Sequence, residues 1–405
     1  MSADWPILKV EDIAASTPRA IAIGPFGSRM KADLYTPEGV PVVRGTNIVK
    51  SRSPQGDFVY VSTETAESMP GCVLAPGDLV FPHRGAIGEV GLIEGDADTR
   101  MMLSTSLMKL TPDKTRIDSR YVYYYFSSEL GRRELLMRAS TVGTPGIGQP
   151  LTSLRSIPIP VPPIEEQRGI AETLGALDDK IESNQRSQVT GEKLIRSLVT
   201  AALERSTGEV GVLRDYCNLI KEPARIGALT ADLHYIAFEH MPRGSIFLDD
   251  WGNAEGLGSD KSYFQVGDIL FGKLRPYFKK VGIAPVDGVC STDILVLRPI
   301  RKADTALVAV VASSDPLIDS LSAAATGTRM PRASWKDLAS WPVPEMTTLE
   351  RDELADQVAP LVERLTAMTH ETKQLQLLRD TLLPELLSGR IRVPEAREAV
   401  REVVA

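Results

Sequence analysis

Eight consecutive residues, Lys273-Leu274-Arg275-Pro276-Tyr277-Phe278-Lys279-Lys280, hold four cations and two aromatic rings. A second cationic segment runs through a Gly/Pro loop, Gly24-Pro25-Phe26-Gly27-Ser28-Arg29-Met30-Lys31. Arg44-Gly45-Thr46-Asn47 adds an arginine and an asparagine, the side chains that pair bidentately with guanine and adenine edges. His83-Arg84 follows an apolar run that ends at Phe81. The chemistry on offer is recognition of nucleic acid. It makes Gly27, Ser28, Arg29, Lys31, Arg44, Asn47, His83 and Arg84 candidate contacts for one stretch of DNA. Lys273, Arg275, Tyr277, Lys279 and Lys280 are the candidates for another. Each segment alone also reads as a solvated loop. Their recurrence after equivalent strands argues for the binding reading.

Catalytic patterns are missing from the sequence. The four histidines, His83, His234, His240 and His370, have no metal-ligand spacing, and no P-loop, His-Glu-x-x-His or Gly-x-Ser-x-Gly occurs. Gly85 to Gly91 is glycine-rich but misses the dinucleotide-binding spacing and reads as strand–turn–strand. Cys290 reads as a core thiol. The chain is therefore expected to recognise or scaffold rather than catalyse.

The elements that must carry these segments are short apolar runs broken by Gly, Pro and Asp, which read as strands. They are Val40–Val43, Phe58–Val61, Asp78–Phe81 and Leu107–Leu110, then Tyr235–Phe238, Asp268–Phe271 and Asp293–Leu297. Residues 120–137 and 303–321 read as short helices. Gly77-Asp78-Leu79-Val80-Phe81 and Gly267-Asp268-Ile269-Leu270-Phe271 match in kind. So do Ser104-Thr105-Ser106 and Ser291-Thr292-Asp293.

A constant offset of 184 residues joins the two halves. Gly143-Thr144 recurs as Gly327-Thr328, Leu151, Leu154 and Ile157 as Trp335, Leu338 and Trp341, and Pro158 and Pro160 as Pro342 and Pro344. Ile170, Leu174, Leu177, Ile181, Leu194 and Leu198 recur as Leu354, Val358, Leu361, Leu365, Leu378 and Leu382. Each repeat ends in positions stepping by 4 and 3, from Ile170 to Ala202 and from Leu354 to Leu386, a heptad seam with a polar middle. Each seam predicts a helix of about 40 residues, roughly 60 Å long. The matched copy in the same chain is the expected partner, giving antiparallel pairing of 165–204 with 348–388. A homodimeric coiled coil is the alternative.

Composition bounds the class. The chain has 405 residues, 43% hydrophobic and 24% charged, with a net charge of −7. The last 61 residues hold 8 basic and 12 acidic side chains, so much of the acidity belongs to the repeated helical end. Such a chain gains little sequence-independent affinity for DNA by itself. No apolar run has the length of a membrane span. Three scattered cysteines suit a reducing cytoplasm, the expected location.

These residues also resemble a known family, the specificity subunits of Type I restriction–modification systems. The resemblance is carried by Ile23 to Ser28, Val42 to Ile48, Gly77 to Phe81, and Ile157 to Arg168 leading into Ile170–Leu174. In the second half Gly267 to Tyr277 and Cys290 to Asp293 carry it. It implies an α+β fold with two tandem β-rich target-recognition domains. These are separated by long helices that pair as an antiparallel intramolecular coiled coil. The expected boundaries are 1–160, 161–206, 207–344, 345–392, and a C-terminal tail at 393–405. It also implies a non-catalytic reader of a bipartite double-stranded DNA target. Two methyltransferase subunits, and for cleavage two translocase–nuclease subunits, would bind it, and the S-adenosylmethionine and ATP/Mg chemistry would lie in those partners. Ile164, Glu165, Glu166, Gln167, Leu349 and Glu350, at the helix starts, are the expected docking residues. The second copy lacks the Pro-x-Glu-Gln motif and has Arg379 on its seam, which puts equivalence of the two docking places in doubt. A coiled-coil adaptor without DNA contact, or an enzyme with an unrecognised site, remains the alternative.

Overall fold

The heptad seams form two long helices, Ile164–Arg205 and Thr348–Leu387. The computed structural model describes residues 5–26, 29–48, 51–140, 145–206, 209–324 and 332–404. Two prolines, Pro162 and Pro163, lead into the first helix, where missing N–H groups need no partner. Thr347 caps the second. Its hydroxyl accepts from the Glu350 N–H at 3.3 Å, and the Glu350 carboxylate accepts from the Thr347 N–H at 2.7 Å.

The chain divides into two compact units, residues 1–179 with 376–405, and residues 180–375. The division cuts both long helices rather than setting them apart as separate spacers. Each unit keeps its own section of the pairing, and in each the order is antiparallel. In the first, Asp178 meets Arg379 at 3.0 Å, and Ile170, Leu174 and Leu177 are buried, as are Leu382 and Leu386. In the second, Lys180 and Asn184 reach Glu371, and the Gln188 amide donates to the Thr369 hydroxyl at 2.7 Å. Further along, Gly191 faces Leu365. A Cβ on Gly191 would stand 2.9 Å from the Leu365 methyls, so that leucine would have to shift to admit a larger residue. Burying each Leu or Ile is worth about 1.5–3 kcal/mol. Leu194 departs from the expected repeat: it is exposed, while Ile195 and Val199 are buried.

In the first unit a four-stranded antiparallel sheet has the order Ile21–Ile23, Leu107–Leu110, Leu79–Pro82, Gly91–Leu92. A five-stranded sheet runs Tyr35–Thr36, Val59–Val61, Val40–Val43, Met101–Leu103, Val73–Leu74. Its central pair, Val42–Val43 with Met102–Leu103, is parallel. Helices Ser119–Ser127 and Glu129–Leu136 follow. Pro158–Pro160 is a short strand against Ile7–Lys9.

The second unit repeats this plan. Its four-stranded sheet runs Cys217–Ile220, Ile294–Pro299, Ile269–Gly272, Val281–Ile283. Its five-stranded sheet runs Pro223–Ala224, Lys261–Phe264, Gly288–Cys290, His234–Ile236, Gly252–Asn253, again with a parallel central pair. Helices Thr305–Ala312 and Asp315–Ala324 follow, and Pro342–Pro344 pairs with Val210–Val212. The expected strand Tyr235–Phe238 is displaced to His234–Ile236, because Phe238 opens a 3-10 turn.

The repeated Gly-Asp pair is a turn device. Gly77 and Gly267 have φ of +96° and +86°, which a side chain rarely adopts. The buried Asp78 accepts from the Ala75 N–H and pairs with Lys109. The buried Asp268 accepts from the Gln265 N–H and is gripped by two nitrogens of Arg298. The repeated Gly-Thr pairs at 143–144 and 327–328 lie outside the described residues. The C-terminal tail is a helix, Val393–Val404.

Candidate nucleic-acid and partner interfaces

In the second unit the cationic segment forms a tight turn at the end of strand Ile269–Gly272. Arg275 and Lys279 both have φ of 50°, bracketing a 3-10 turn at Pro276–Phe278. Left-handed backbone in a non-glycine residue costs on the order of 1–3 kcal/mol and collects at functional positions. Buried Pro276 anchors the turn, and Tyr277 is 50% exposed with its ring against Phe278 at 4.8 Å. The Arg275 guanidinium lies 5.9 Å from the Phe278 ring. Lys273 is held through its backbone, donating to Asp293 O and accepting from the Ala333 N–H.

Two expected contacts here also meet protein groups. Lys280 donates to the carbonyls of Phe238 and Met241. Burial, reinforced by the charge of Arg243, lowers its pKa from the usual lysine value. Lys279 is committed to Asp315 at 2.6 Å. Cys290 is a buried core thiol, its pKa pushed up to about 12 by desolvation.

In the first unit Gly27 and Ser28 lie outside the described residues. Arg29 and Lys31 are exposed, and the Phe26 ring is 71% exposed. Phe26 and Arg29 line an open groove with Arg19, Met69 and Pro70. Arg19 was not marked by the sequence. It too has a left-handed backbone, φ of 65°, and lies so close over Gly71 that a Cβ there would stand 2.4 Å from its Cδ. The non-glycine residues with positive φ among the described residues are thus Arg19, Arg275 and Lys279, all cations.

Asn47 and His83 are both buried. Asn47 is 1% exposed and its amide is spent: Oδ1 accepts from the Arg44 N–H at 3.0 Å, and Nδ2 donates to the carbonyls of Gln55 and Asp57. Arg44 is half-buried and donates to Asp57 O at 2.9 Å, bracing the same loop. His83 continues the register of strand Leu79–Pro82, its N–H bonded to Ser106 O, so it turns inward and Arg84 outward. The buried imidazole meets Thr105 O at 3.2 Å, and desolvation holds its pKa below the usual value.

The helix starts are built differently in the two units. Gln167 is fully buried, so it cannot dock a partner. Its Oε1 accepts from the Asp118 N–H at 2.8 Å, and its Nε2 donates to the carbonyls of Arg116 and Pro162. At the matching place 184 residues later stands Arg351, paired with buried Asp304 and stacked 4.9 Å over Tyr216. Tyr121 OH donates to Pro160 O, and Tyr216 OH to Pro344 O. Glu165 is exposed beside Arg168, and Ile164 is half-buried. Glu166 is held at 2.8 Å by Arg392, just ahead of the C-terminal helix, which itself sets Val393 on Gly169 and Arg397 on Glu172. In the second unit the matching face, Glu350, Glu353, Leu354 and Gln357, opens into a groove with Ala202, Arg205 and Met346. Leu349 beside it is 68% exposed, while Glu350 is partly spent on its cap.

Among the described residues no three His, Cys, Asp or Glu side chains converge as a metal site. No single helix there is long and apolar enough to cross a membrane. Two like scaffolds, each ending in a long helix and carrying unlike cationic loops, define a tandem two-unit protein. Residues 23–190 match the family described as Type I restriction modification DNA specificity domain. The chain is similar to Type I restriction–modification specificity subunits. It is 35% identical over 107 residues to the EcoDI specificity subunit of Escherichia coli, covering 26% of this chain and 24% of that protein. It is 24% identical over 213 residues to the MjaVIII specificity subunit of Methanocaldococcus jannaschii, covering 52% and 47%. These matches span less than half the length of the curated relatives. The fold extends further: the S subunit structure from M. genitalium aligns with 95% of this chain and 96% of its own, with a TM-score of 0.63 and 16% identity.

Proposed function

We propose that this chain is the DNA specificity subunit of a Type I restriction–modification complex and does no chemistry itself. Each unit reads one half of a bipartite target, and the paired helices set the spacer. Two methyltransferase subunits dock at the helix starts, and translocase–nuclease subunits join for cleavage. S-adenosylmethionine and ATP/Mg are bound by those partners, in the cytoplasm where the DNA is. The observation that carries this reading is a single scaffold built twice with unlike cationic loops, one after strand Ile21–Ile23 and the other after strand Ile269–Gly272. Like scaffolds with unlike loops suit two related specificities. The net charge of −7 gives the lone chain little counterion release, so partners must supply much of the grip on phosphate.

The test is to map modified bases in host DNA with the chain and its methyltransferase subunits expressed together. A split motif is expected. Arg275→Ala should relax the second half alone, a bidentate base contact being worth about 1–3 kcal/mol of discrimination. A continuous motif, or equal effects on both halves, overturns the assignment. Absence of any footprint on DNA, with methyltransferase present, would favour an adaptor.

A further inference from the structure

Arg243 sits alone in the sequence, between Pro242 and Gly244, and no basic cluster marks it. In the fold its exposed guanidinium lies 4.1 Å from the Phe278 ring centroid, closer than Arg275 at 5.9 Å. Two guanidinium groups thus share one ring, beside a turn whose backbone is left-handed at both ends. Asp315, beside the same turn, pairs with Lys279. The result is a local positive pole with a stacked, rigid fork. A stacked guanidinium loses little freedom when it meets a planar, two-acceptor edge.

The loop that carries Arg243 is held from the first long helix, within the same unit. Arg196 Nη2 donates to Gly244 O at 2.9 Å, and the Gly244 N–H donates to Lys279 O at 3.0 Å. Buried Glu192 accepts from Ser245 Oγ at 2.6 Å, from the Ile246 N–H at 3.0 Å, and from Arg196 Nε at 2.8 Å. Helix, loop and strained turn are therefore one connected brace.

Resting on the function proposed above, we infer that Arg243 is a specificity-determining residue of the second half-site. Its stacked fork takes a guanine edge in the major groove, and Glu192 and Arg196 are its positioning residues. The brace sets where the fork points, so neutralising Glu192 loosens reading without removing a contact to DNA.

The experiment uses the full chain with its methyltransferase subunits and reads the modified motif in host DNA. Arg243→Ala should make one base pair of the second half-site degenerate, with discrimination there falling about tenfold to a hundredfold. The first half-site and the spacer should be unchanged. Arg243→Lys, which keeps the charge but not the fork, should lose the same discrimination. Glu192→Gln should weaken it less, at the same base pair. An intact motif in both Arg243 variants overturns the inference. So does uniformly reduced modification with the motif unchanged, which is the signature of a phosphate contact. A wild-type chain that directs no modification overturns the underlying function, whereas a wild-type split motif with an insensitive Arg243 overturns only this inference. Arg243 is exposed, and matched melting of the variants shows that folding is not what changed.

Discussion

At the start of the first long helix a neutral amide ties helix to sheet; at the start of the second an ion pair does. Gln167 holds the backbone around Asp118, and Arg351 holds the carboxylate of Asp304. Asp118 and Asp304 both stand at the N-terminal cap of the helix that follows the sheets. The motif is lost in the second copy, yet the anchoring survives at the same position. What the two units share is a place for a buried polar contact, and side-chain chemistry has been exchanged within it. The edges of the five-stranded sheets differ more deeply. Tyr35–Thr36 extends one side of its sheet, beside Val59–Val61. Pro223–Ala224 joins Lys261–Phe264 at the opposite side. The core tolerates no such freedom, because the parallel central pair must be covered on both sides.

The largest expected effect breaks the second anchor. Arg351→Ala strands the buried Asp304 carboxylate and should cost about 3–5 kcal/mol. Gln167→Ala leaves an N–H and two carbonyls without their partner and should cost about 2–3 kcal/mol. Hydrogen exchange should place each loss in its own unit. If Arg351→Gln with Asp304→Asn is as damaging as Arg351→Ala, the two anchors are not interchangeable. Next in size is removal of residues 390–405. It uncovers Gly169 and frees Glu166 and Glu172 from Arg392 and Arg397. Surface pairs add little, so the loss of apolar contact by Val393 and Ala396 dominates at about 1–2 kcal/mol, in the first unit alone. Protection lost in the second unit would contradict this.

The smallest effect sharpens the comparison through pH. His83 is buried in the first unit, whereas no histidine of the second is buried. Its folded pKa lies below the ordinary 6.5, so the unfolded chain binds more protons around that pH. The first unit should therefore keep full stability above about pH 6.5 and lose it as pH falls below that value. Unfolding followed from pH 7.5 to 5 should show the slope, and His83→Asn should flatten it. An equal slope in the variant would clear His83 of the role.

The helices, the antiparallel pairing and the strand cores were legible because they depend on local periodicity and a repeated offset. The parallel pairing of Val40–Val43 with Met101–Leu103 was not, since it joins residues some sixty apart with no turn signal between them. Nor was burial of polar side chains. Asn47, His83 and Gln167 belong to residue types that also read DNA or bind partners, and only the fold reveals that all three are buried and that the amides of Asn47 and Gln167 are spent on the backbone. Arg19 and Arg243 escaped for the opposite reason. Each is a single cation in its stretch, brought to a cationic face by a turn. A Pro before the arginine, Pro18 and Pro242, was the one local hint.

The second unit is one unbroken stretch, but the first is made from both ends of the chain. During synthesis, Ile170, Leu174 and Leu177 emerge roughly two hundred residues before Leu382 and Leu386, which cover them. At about 5–20 residues per second the wait is about 10–40 s. Throughout that time a stripe of apolar side chains has no intended cover, while the second unit can complete itself. The domain translated first is thus the last to close. A ribosome that stalls between 180 and 375 releases a product with its sticky half exposed.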